Sequence, residues 1–209
     1  QDDTGIAAEL KDEGVYLITG GLGGLGMLVA GHVSEVSNAT LILTYRTELP
    51  PRDQWQAWLQ QHSVDDSVSE KIAGVLRLEE RGNTVHLAQV DVCDYAGMRD
   101  VLAGFTRIDG VFHTAGIAGG GIIPLKNDAD CAGVLNPKVN GSLILDELLK
   151  DKQPDFFILF SSITSIVGDE ARIDYCAGNA FMDAFAHYRN QQRSGHTVSL
   201  NWGKWGDIG

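Results

Sequence analysis

The sequence predicts an α/β fold built on a doubly wound parallel sheet, and three observations support this. Short apolar runs alternate with helix-like patterns along the 209 residues. Several runs are almost continuously hydrophobic, as strands covered by helices on both faces should be. A glycine-rich turn, LITGGLGGLG at residues 17–26, follows the first run. A chain of this length buries enough surface to fold without a metal or a disulfide.

Six apolar runs are predicted as the strands of this sheet. Each run is short, and a helix-like pattern separates most of them from the next. The predicted strands are Val15–Thr19, Thr40–Tyr45, Val85–Val90, Gly110–His113, Phe156–Phe160 and Thr197–Asn201. Alternation of this kind favours parallel pairing, because parallel strands need a long crossover between them.

The intervening segments have helical signals. Val68, Ile72 and Val75 recur at helical spacing, and the pattern ends at Gly82. Asp94 is placed to cap the helix that follows it. The predicted helices are Leu25–Val36, the segment from Val68 to Glu79, Tyr95–Ala103, Asn136–Leu149 and Tyr175–Gln192.

The segment ELPPRDQWQAWLQQHSVDDS, at residues 48–67, is an insertion for such a fold. Two prolines stop the chain, after which Trp55, Trp58 and Leu59 share one helical face. We expect a small helix that packs its tryptophans onto the domain. An interface with a neighbouring domain is the alternative.

The composition excludes several classes of partner. The formal net charge is −12, so we expect neither a nucleic acid nor an anionic membrane as partner, since both attract basic surfaces. No apolar run reaches the roughly 18 residues of a membrane span, and no signal peptide is visible. Three widely spaced cysteines, Cys93, Cys131 and Cys176, without a C-x-x-C pair are typical of reduced thiols in a cytoplasmic protein without a metal site.

The glycine-rich turn predicts a dinucleotide site. It lies between a strand and a helix, where backbone N–H groups and the helix N-terminus can hold a pyrophosphate. A ligand-free glycine turn is the alternative. The spacing Thr19-Gly20-x-x-x-Gly24-x-Gly26 resembles the short-chain dehydrogenase/reductase superfamily. The residues expected at the cofactor here are Thr19, Gly20, Gly21, Leu22, Gly23, Gly24, Leu25 and Gly26.

The end of the second strand indicates which dinucleotide binds. The strand ends in Tyr45-Arg46 where NAD proteins usually have an acidic residue. A guanidinium there suits the 2′-phosphate of NADP(H), although Arg46 as a solvated surface residue is the alternative. Asp91 and Val92, after the third strand, are expected at the adenine.

The segment HTAG ends the fourth strand beside the expected cofactor. Thr114, Ala115 and Gly116 are therefore predicted to border the cofactor. A lone histidine on an apolar strand is more often structural than catalytic, so His113 is interpreted as structural.

The segment FSSITSIVGDEARIDYCAGN contains the predicted chemistry. Ser162 ends a strand, and Tyr175 and Asn179 are four residues apart, so they share one helical face. Most members of the superfamily have lysine at the position of Asn179. Here Lys138, in NPKVNGS, stands where those members have asparagine.

This exchange resembles the ketoreductase domains of modular polyketide synthases and of the related animal fatty acid synthase. The resemblance covers YLITGGLGGLG, DVCD, GVFHTAG, NPKVNGS, FILFSS, YCAGNAFMDAFA and NWGKWG. It implies Tyr175 as proton donor, Ser162 as the residue that orients the carbonyl, and Lys138 and Asn179 as their support. It also implies that the start of NWGKWG, at Asn201, Trp202 and Gly203, lies at the cofactor.

The resemblance further implies NADPH as cofactor and a β-ketoacyl thioester on an acyl carrier protein as substrate. It predicts that residues 1–209 are one catalytic domain of a longer polypeptide, ending before the last strand and the substrate lid. A preceding structural half-domain and other synthase domains are the expected partners. Two alternatives stay open: a non-catalytic NADP-binding scaffold, and an extended-class nucleotide-sugar epimerase or dehydratase, which would usually have Tyr-x-x-x-Lys.

The stereochemistry of the product is not indicated. One family marker, a Leu-Asp-Asp triplet, corresponds to Ala118, Gly119 and Gly120 here, and the other, a tryptophan, corresponds to Val167. The two markers are associated with opposite configurations of the hydroxyl group, and neither is present. The absence of the triplet weakly favours the configuration that the tryptophan marks.

Overall fold

The computed structural model describes residues 9–204, and within them six parallel strands form one sheet. The strands are β1 (Val15–Thr19), β2 (Thr40–Tyr45), β3 (Thr84–Gln89), β4 (Gly110–His113), β5 (Phe156–Ser162) and β6 (His196–Trp202). They pair in the order β3-β2-β1-β4-β5-β6, which confirms the predicted doubly wound sheet. The order reverses between β1 and β4, and ligands bind at such a switch point, outside the carboxyl ends of the strands.

Helices cover both faces of the sheet. They are α1 (Gly24–Val36), α2 (Trp55–Gln61), α3 (Ser67–Glu80), α4 (Tyr95–Ala103), α5 (Asp128–Lys138), α6 (Asn140–Leu149), α7 (Thr164–Val167) and α8 (Ile173–Gln192). Alternate residues of a strand face opposite sides. Tyr16 and Ile18 of β1 therefore join the core beneath α1 and α3, whereas Leu17 joins the core beneath α4, α6 and α8.

Three strands have the predicted bounds, and the other three differ by one or two residues. β5 and β6 are longer than predicted because they pair in register over seven residues each, from Phe156 with His196 to Ser162 with Trp202. The extension places Ser162 at the carboxyl end of β5, at the edge where the cleft opens.

The predicted helix Asn136–Leu149 is wrong, because the structure has two helices there. α5 begins at Asp128, capped by Asn127, whose side chain accepts a hydrogen bond from the N–H of Asp130 at 2.9 Å. It ends at Lys138, and α6 begins at Asn140. Pro137 lies in the last turn of α5; it has no N–H for the helical ladder and crowds the preceding turn. The break leaves Lys138 at the end of a helix.

The insertion packs onto its own domain, as predicted. Trp55 is 3% exposed and lies in the core beneath α1 and α3, with Trp58 and Leu59 partly buried against that core. The indole N–H of Trp55 donates to the carbonyl of Pro50 at 2.9 Å. The one polar group of this buried side chain is therefore hydrogen-bonded.

Within residues 9–204, no helix is long and apolar enough to cross a membrane. The three cysteine thiols are free. The same part of the chain has no group of three or more His, Cys, Asp or Glu side chains that could hold a metal ion.

Candidate active site

The glycine-rich loop packs tightly against its surroundings. Gly20 has a φ of +65°, and a Cβ there would lie 2.9 Å from the Cα of Ala115. A Cβ on Gly26 would lie 2.3 Å from the carbonyl oxygen of Gly20. These two glycines are therefore required by the packing of the chain itself, before any ligand is considered.

The start of α1 is open toward a cleft. Gly23 caps the helix without a side chain, and the first turn has no acidic residue. The first N–H groups of a helix have no intrahelical acceptor, and together with the helix dipole they attract an anion. The residues that line this cleft include Gly20, Leu22, Gly23, Gly24, Leu25 and Gly26. The arrangement fits a pyrophosphate.

The residues predicted to contact the adenosine line the same cleft. Tyr45, Arg46, Asp91 and Val92 all line it. The Arg46 side chain is 61% exposed, and its Nη1 lies 3.5 Å from Oδ2 of Asp91. Its guanidinium is thus held only loosely and is available to a ligand.

Lys71 of α3 also lines this cleft, although the sequence pattern did not predict it there. Its ammonium donates to the hydroxyl of Ser67 at 2.8 Å and to the Ser67 carbonyl at 3.0 Å. The sequence interpretation of α3 rested on its apolar positions. The available signal was a lysine between the apolar positions Val68 and Ile72 of this helix.

The end of β4 is bound to the end of β1. The Thr114 hydroxyl donates to the carbonyl of Thr19 at 2.6 Å, and the N–H of Ala115 lies 3.4 Å from the Thr19 hydroxyl. Thr114, Ala115 and Gly116 border the cleft, as predicted. Thr19 is fully buried beneath it, so its role is to hold the loop.

His113 has a structural environment. It is 1% exposed, and its Nε2 donates to the carbonyl of Pro137 at 2.9 Å while Nδ1 lies 2.7 Å from the Thr19 hydroxyl. Burial and the positive charge of Lys138 lower the pKa of His113 to about 4. The neutral ring therefore fixes the backbone just before Lys138.

Three of the four predicted catalytic residues line one cleft: Ser162, Tyr175 and Lys138. Ser162, at the end of β5, is 8% exposed, and its Oγ accepts a hydrogen bond from the N–H of Thr164 at 3.2 Å. That bond uses an Oγ lone pair and leaves the O–H free to donate. Tyr175 is half-buried in the first turn of α8.

Lys138 is buried beside Tyr175. It is 4% exposed, and its Nζ lies 5.1 Å from the centroid of the Tyr175 ring. A Cβ on Gly178 would approach the Lys138 Cδ to 2.9 Å, so this glycine makes room for the side chain. Burial lowers the pKa of Lys138 to about 8, and the negative charge of Asp183 opposes this shift.

Asn179 lies one turn after Tyr175 and is fully buried. Its Nδ2 is 3.5 Å from the hydroxyl of Thr164. Its Oδ1 has no hydrogen-bond partner among residues 9–204. A buried acceptor without a partner is costly, and a bound water would satisfy it.

The end of β6 and the residue after it contribute differently from the prediction. Trp202 and Gly203 line the catalytic cleft. The side-chain amide of Asn201 instead donates to Ser165 Oγ at 2.9 Å and to Asp183 Oδ2 at 3.0 Å. These bonds occupy both of its N–H groups and hold the strand end. Trp205 and Gly206 of the NWGKWG motif lie outside the described residues.

The fold and the site together define a class of protein. A glycine loop at the switch point of a parallel sheet, next to a cleft with serine, tyrosine and a buried lysine, is the arrangement of an NAD(P)-dependent reductase of the short-chain dehydrogenase/reductase type. The profile of the KR domain matches residues 14–207. The chain therefore belongs to the KR domain family, the ketoreductases of polyketide synthases.

Relatives in two organisms agree with this assignment. The chain is 39% identical over 209 residues to polyketide synthase PksN of Bacillus subtilis, covering 95% of the chain and 4% of the relative. It is 34% identical over 204 residues to 6-methylsalicylic acid synthase of Aspergillus terreus, covering 95% of the chain and 11% of the relative. The chain thus spans a small fraction of the length of these synthases.

Solved structures show the same fold. A ketoreductase domain from the bacillaene assembly line matches with a TM-score of 0.83 and 36% identity, over 95% of this chain and 46% of that one. PlmKR1, a ketoreductase from phoslactomycin biosynthesis in Streptomyces sp. HK803, matches with a TM-score of 0.74 and 36% identity, over 94% and 43%. The family assignment favours ketone reduction over the epimerase or dehydratase alternative.

Proposed function

We propose that this domain uses NADPH to reduce a β-ketoacyl thioester, held on an acyl carrier protein, to the β-hydroxyacyl thioester. The single observation that supports the chemistry best is the burial of Lys138 against the ring of Tyr175, with Ser162 in the same cleft. A hydroxyl, a phenol and an ammonium, each able to stabilise a developing oxyanion, thus line one cleft.

The protein's part in the reaction is to stabilise and protonate the ketone oxygen. Bound NADPH supplies the hydride that adds to the carbonyl carbon. The Ser162 O–H donates a hydrogen bond to the oxygen as negative charge builds on it. Tyr175 gives the oxygen its proton, and the new O–H bond completes the alcohol.

Lys138 is placed to stabilise the anion that Tyr175 becomes when its proton leaves. A positive charge close to the ring favours the negative charge of the phenolate. The unpartnered Oδ1 of Asn179 is suited to hold a water that returns a proton to Tyr175. Lys138 and Asn179 are therefore supporting residues.

The preference for NADPH over NADH rests on two cations. Arg46 and Lys71 both line the dinucleotide cleft. Asp91 also lies there, 3.5 Å from Arg46, and it balances part of that charge. A guanidinium and an ammonium together still suit a 2′-phosphate better than a ribose hydroxyl.

The relatives are much longer synthases, which supports a carrier protein and further domains as partners. We propose that residues 1–209 belong to one ketoreductase unit of such a polypeptide, with a preceding structural half-domain and other synthase domains as neighbours, in the cytoplasm. Chiral analysis of the product would establish the configuration of the new hydroxyl group.

Turnover of a small bicyclic ketone such as a decalone tests the function without the carrier. The domain is mixed with NADPH and the ketone, and the loss of reduced nicotinamide is followed together with formation of the alcohol. Turnover is the expected result. Tight NADPH binding without turnover would instead support the non-catalytic scaffold.

A further inference from the structure

The loop between β4 and α5 turns one side chain inward. Residues 116–130 are exposed, with the exception of Lys126, whose side chain is 5% exposed. Its ammonium donates to Oδ2 of Asp174 at 2.6 Å and to the carbonyl of Gly120 at 2.8 Å. One lysine therefore closes the loop on itself and ties it to the first turn of α8.

Asp174 connects this lysine to the backbone of the neighbouring tyrosine. Its side chain is 2% exposed, and its Oδ1 accepts a hydrogen bond from the N–H of Tyr175 at 3.0 Å. Arg172, at the N-cap position of α8, makes no side-chain capping bond. Burial raises the pKa of Asp174, but the hydrogen bonds from Lys126 and from the Tyr175 N–H outweigh it, and the pKa stays below its usual range.

The two segments that this pair joins both line the catalytic cleft. Ile117 and Ala118 line the cleft from the loop, and Arg172 and Tyr175 line it from the start of α8. A buried ion pair is a poor way to gain stability, because apolar residues of similar volume often do as well or better. Its place next to Tyr175 calls for another explanation.

We propose that the Lys126–Asp174 pair is a positioning device, which holds the backbone of Tyr175 and the loop between β4 and α5 in the geometry that proton transfer requires. Neither side chain touches the reacting atoms. The proposal rests on the proposed function, because it takes Tyr175 as the proton donor.

Kinetics of paired variants test the proposal. Lys126→Met/Asp174→Leu removes both charges and leaves no buried ion without its partner. We expect kcat for decalone reduction to fall about ten- to a hundredfold, since small displacements of a catalytic group have effects of that size. The Kd for NADPH should stay within about twofold, because neither residue lines the dinucleotide cleft. Lys126→Arg keeps the cation and should retain most of the activity.

A buried ion pair elsewhere on α8 provides the matched control. Arg189 of α8 is 1% exposed and binds Asp146 at 2.9 Å. Asp146→Asn should lower the urea midpoint of unfolding and leave kcat unchanged. A similar pattern for Lys126→Met/Asp174→Leu, with a lower midpoint and full kcat, would show that the pair is only structural and would overturn the proposal.

Two further outcomes are decisive. Parallel loss of kcat and of NADPH affinity would mean that the pair supports the fold in general, which overturns the positioning role. If the double variant does not fold, Asp174→Asn replaces it, and its kcat should fall severalfold; an unchanged kcat would overturn the proposal. Tyr175→Phe, assayed alongside, separates the two hypotheses, because an active Tyr175→Phe contradicts the proposed function itself.

Discussion

The ammonium of Lys138 lies 5.1 Å from the centroid of the Tyr175 ring, although the two residues belong to different helices. A hydrogen bond fixes the backbone at or next to each of these residues. The ring of His113 donates to the carbonyl of Pro137, next to Lys138, and Asp174 accepts from the N–H of Tyr175. The cation and the phenol therefore meet in a geometry fixed by their backbones.

Tyr175→Phe should reduce kcat for ketone reduction by a factor of about 10²–10⁴, the usual contribution of general acid catalysis. NADPH affinity should stay nearly the same, because Tyr175 does not line the dinucleotide cleft. Steady-state kinetics and a fluorescence titration measure the two quantities. Tyr188→Phe, on the exposed part of the same helix, is the control and should keep full activity. More than about a tenth of the wild-type rate in Tyr175→Phe would contradict the assignment.

The rate of reduction should fall as the pH rises through about 8. Burial lowers the pKa of Lys138 from 10.5 to about 8, so the ammonium that assists Tyr175 is present below that pH and lost above it. A profile of kcat against pH measures this. Lys138→Met should be slower throughout and should lack the alkaline decline. If that decline persisted unchanged in Lys138→Met, another group would be responsible for it.

Arg46→Ala should raise the Kd for NADPH about tenfold and hardly change that for NADH. A charge-assisted hydrogen bond contributes roughly 1.5–3 kcal/mol, and the exposure of Arg46 favours the lower end, which corresponds to about a tenfold change. Titration of both cofactors by nicotinamide fluorescence tests this, and the difference should shrink at high salt.

The same titration applies to Lys71→Met, for which the direction should be the same. Arg99→Ala is a suitable control, because this exposed arginine is paired with its neighbour Asp100 away from the cleft. Equal loss of NADPH and NADH affinity in Arg46→Ala would mean that Arg46 supports the fold and does not recognise the phosphate.

Asp146→Asn should destabilise the domain by about 3–5 kcal/mol, the cost of leaving a buried charge without its partner. Arg189 is 1% exposed and also donates to Thr197 Oγ1 at 2.8 Å, so it has no route to solvent. Urea unfolding measures the change. Glu147→Gln removes an exposed pair with Lys150 on the same helix and should change stability by less than about 1 kcal/mol. Similar effects for the two variants would contradict the expectation.

The sequence by itself determined the six strands, their alternation with helices along the chain, and two motifs: the glycine loop and the segment with Tyr175 and Asn179. Strands β1, β2 and β4 have the predicted bounds, because a buried parallel strand must be a continuous apolar run with polar residues at its ends. The glycine loop and the spacing of Tyr175 and Asn179 were visible for a similar reason: each is a local pattern in which the residues that cooperate are neighbours along the chain.

The tertiary structure alone decided which distant residues meet. The bond from His113 to Pro137, the entry of Lys71 into the dinucleotide cleft, and the Lys126–Asp174 pair each join separate elements. The last of these spans 48 positions of sequence. No local pattern encodes such contacts, because they depend on how helices pack on the sheet and on which polar groups that packing leaves to be satisfied. Burial then set the pKa of Lys138, a property that its immediate sequence neighbours do not reveal.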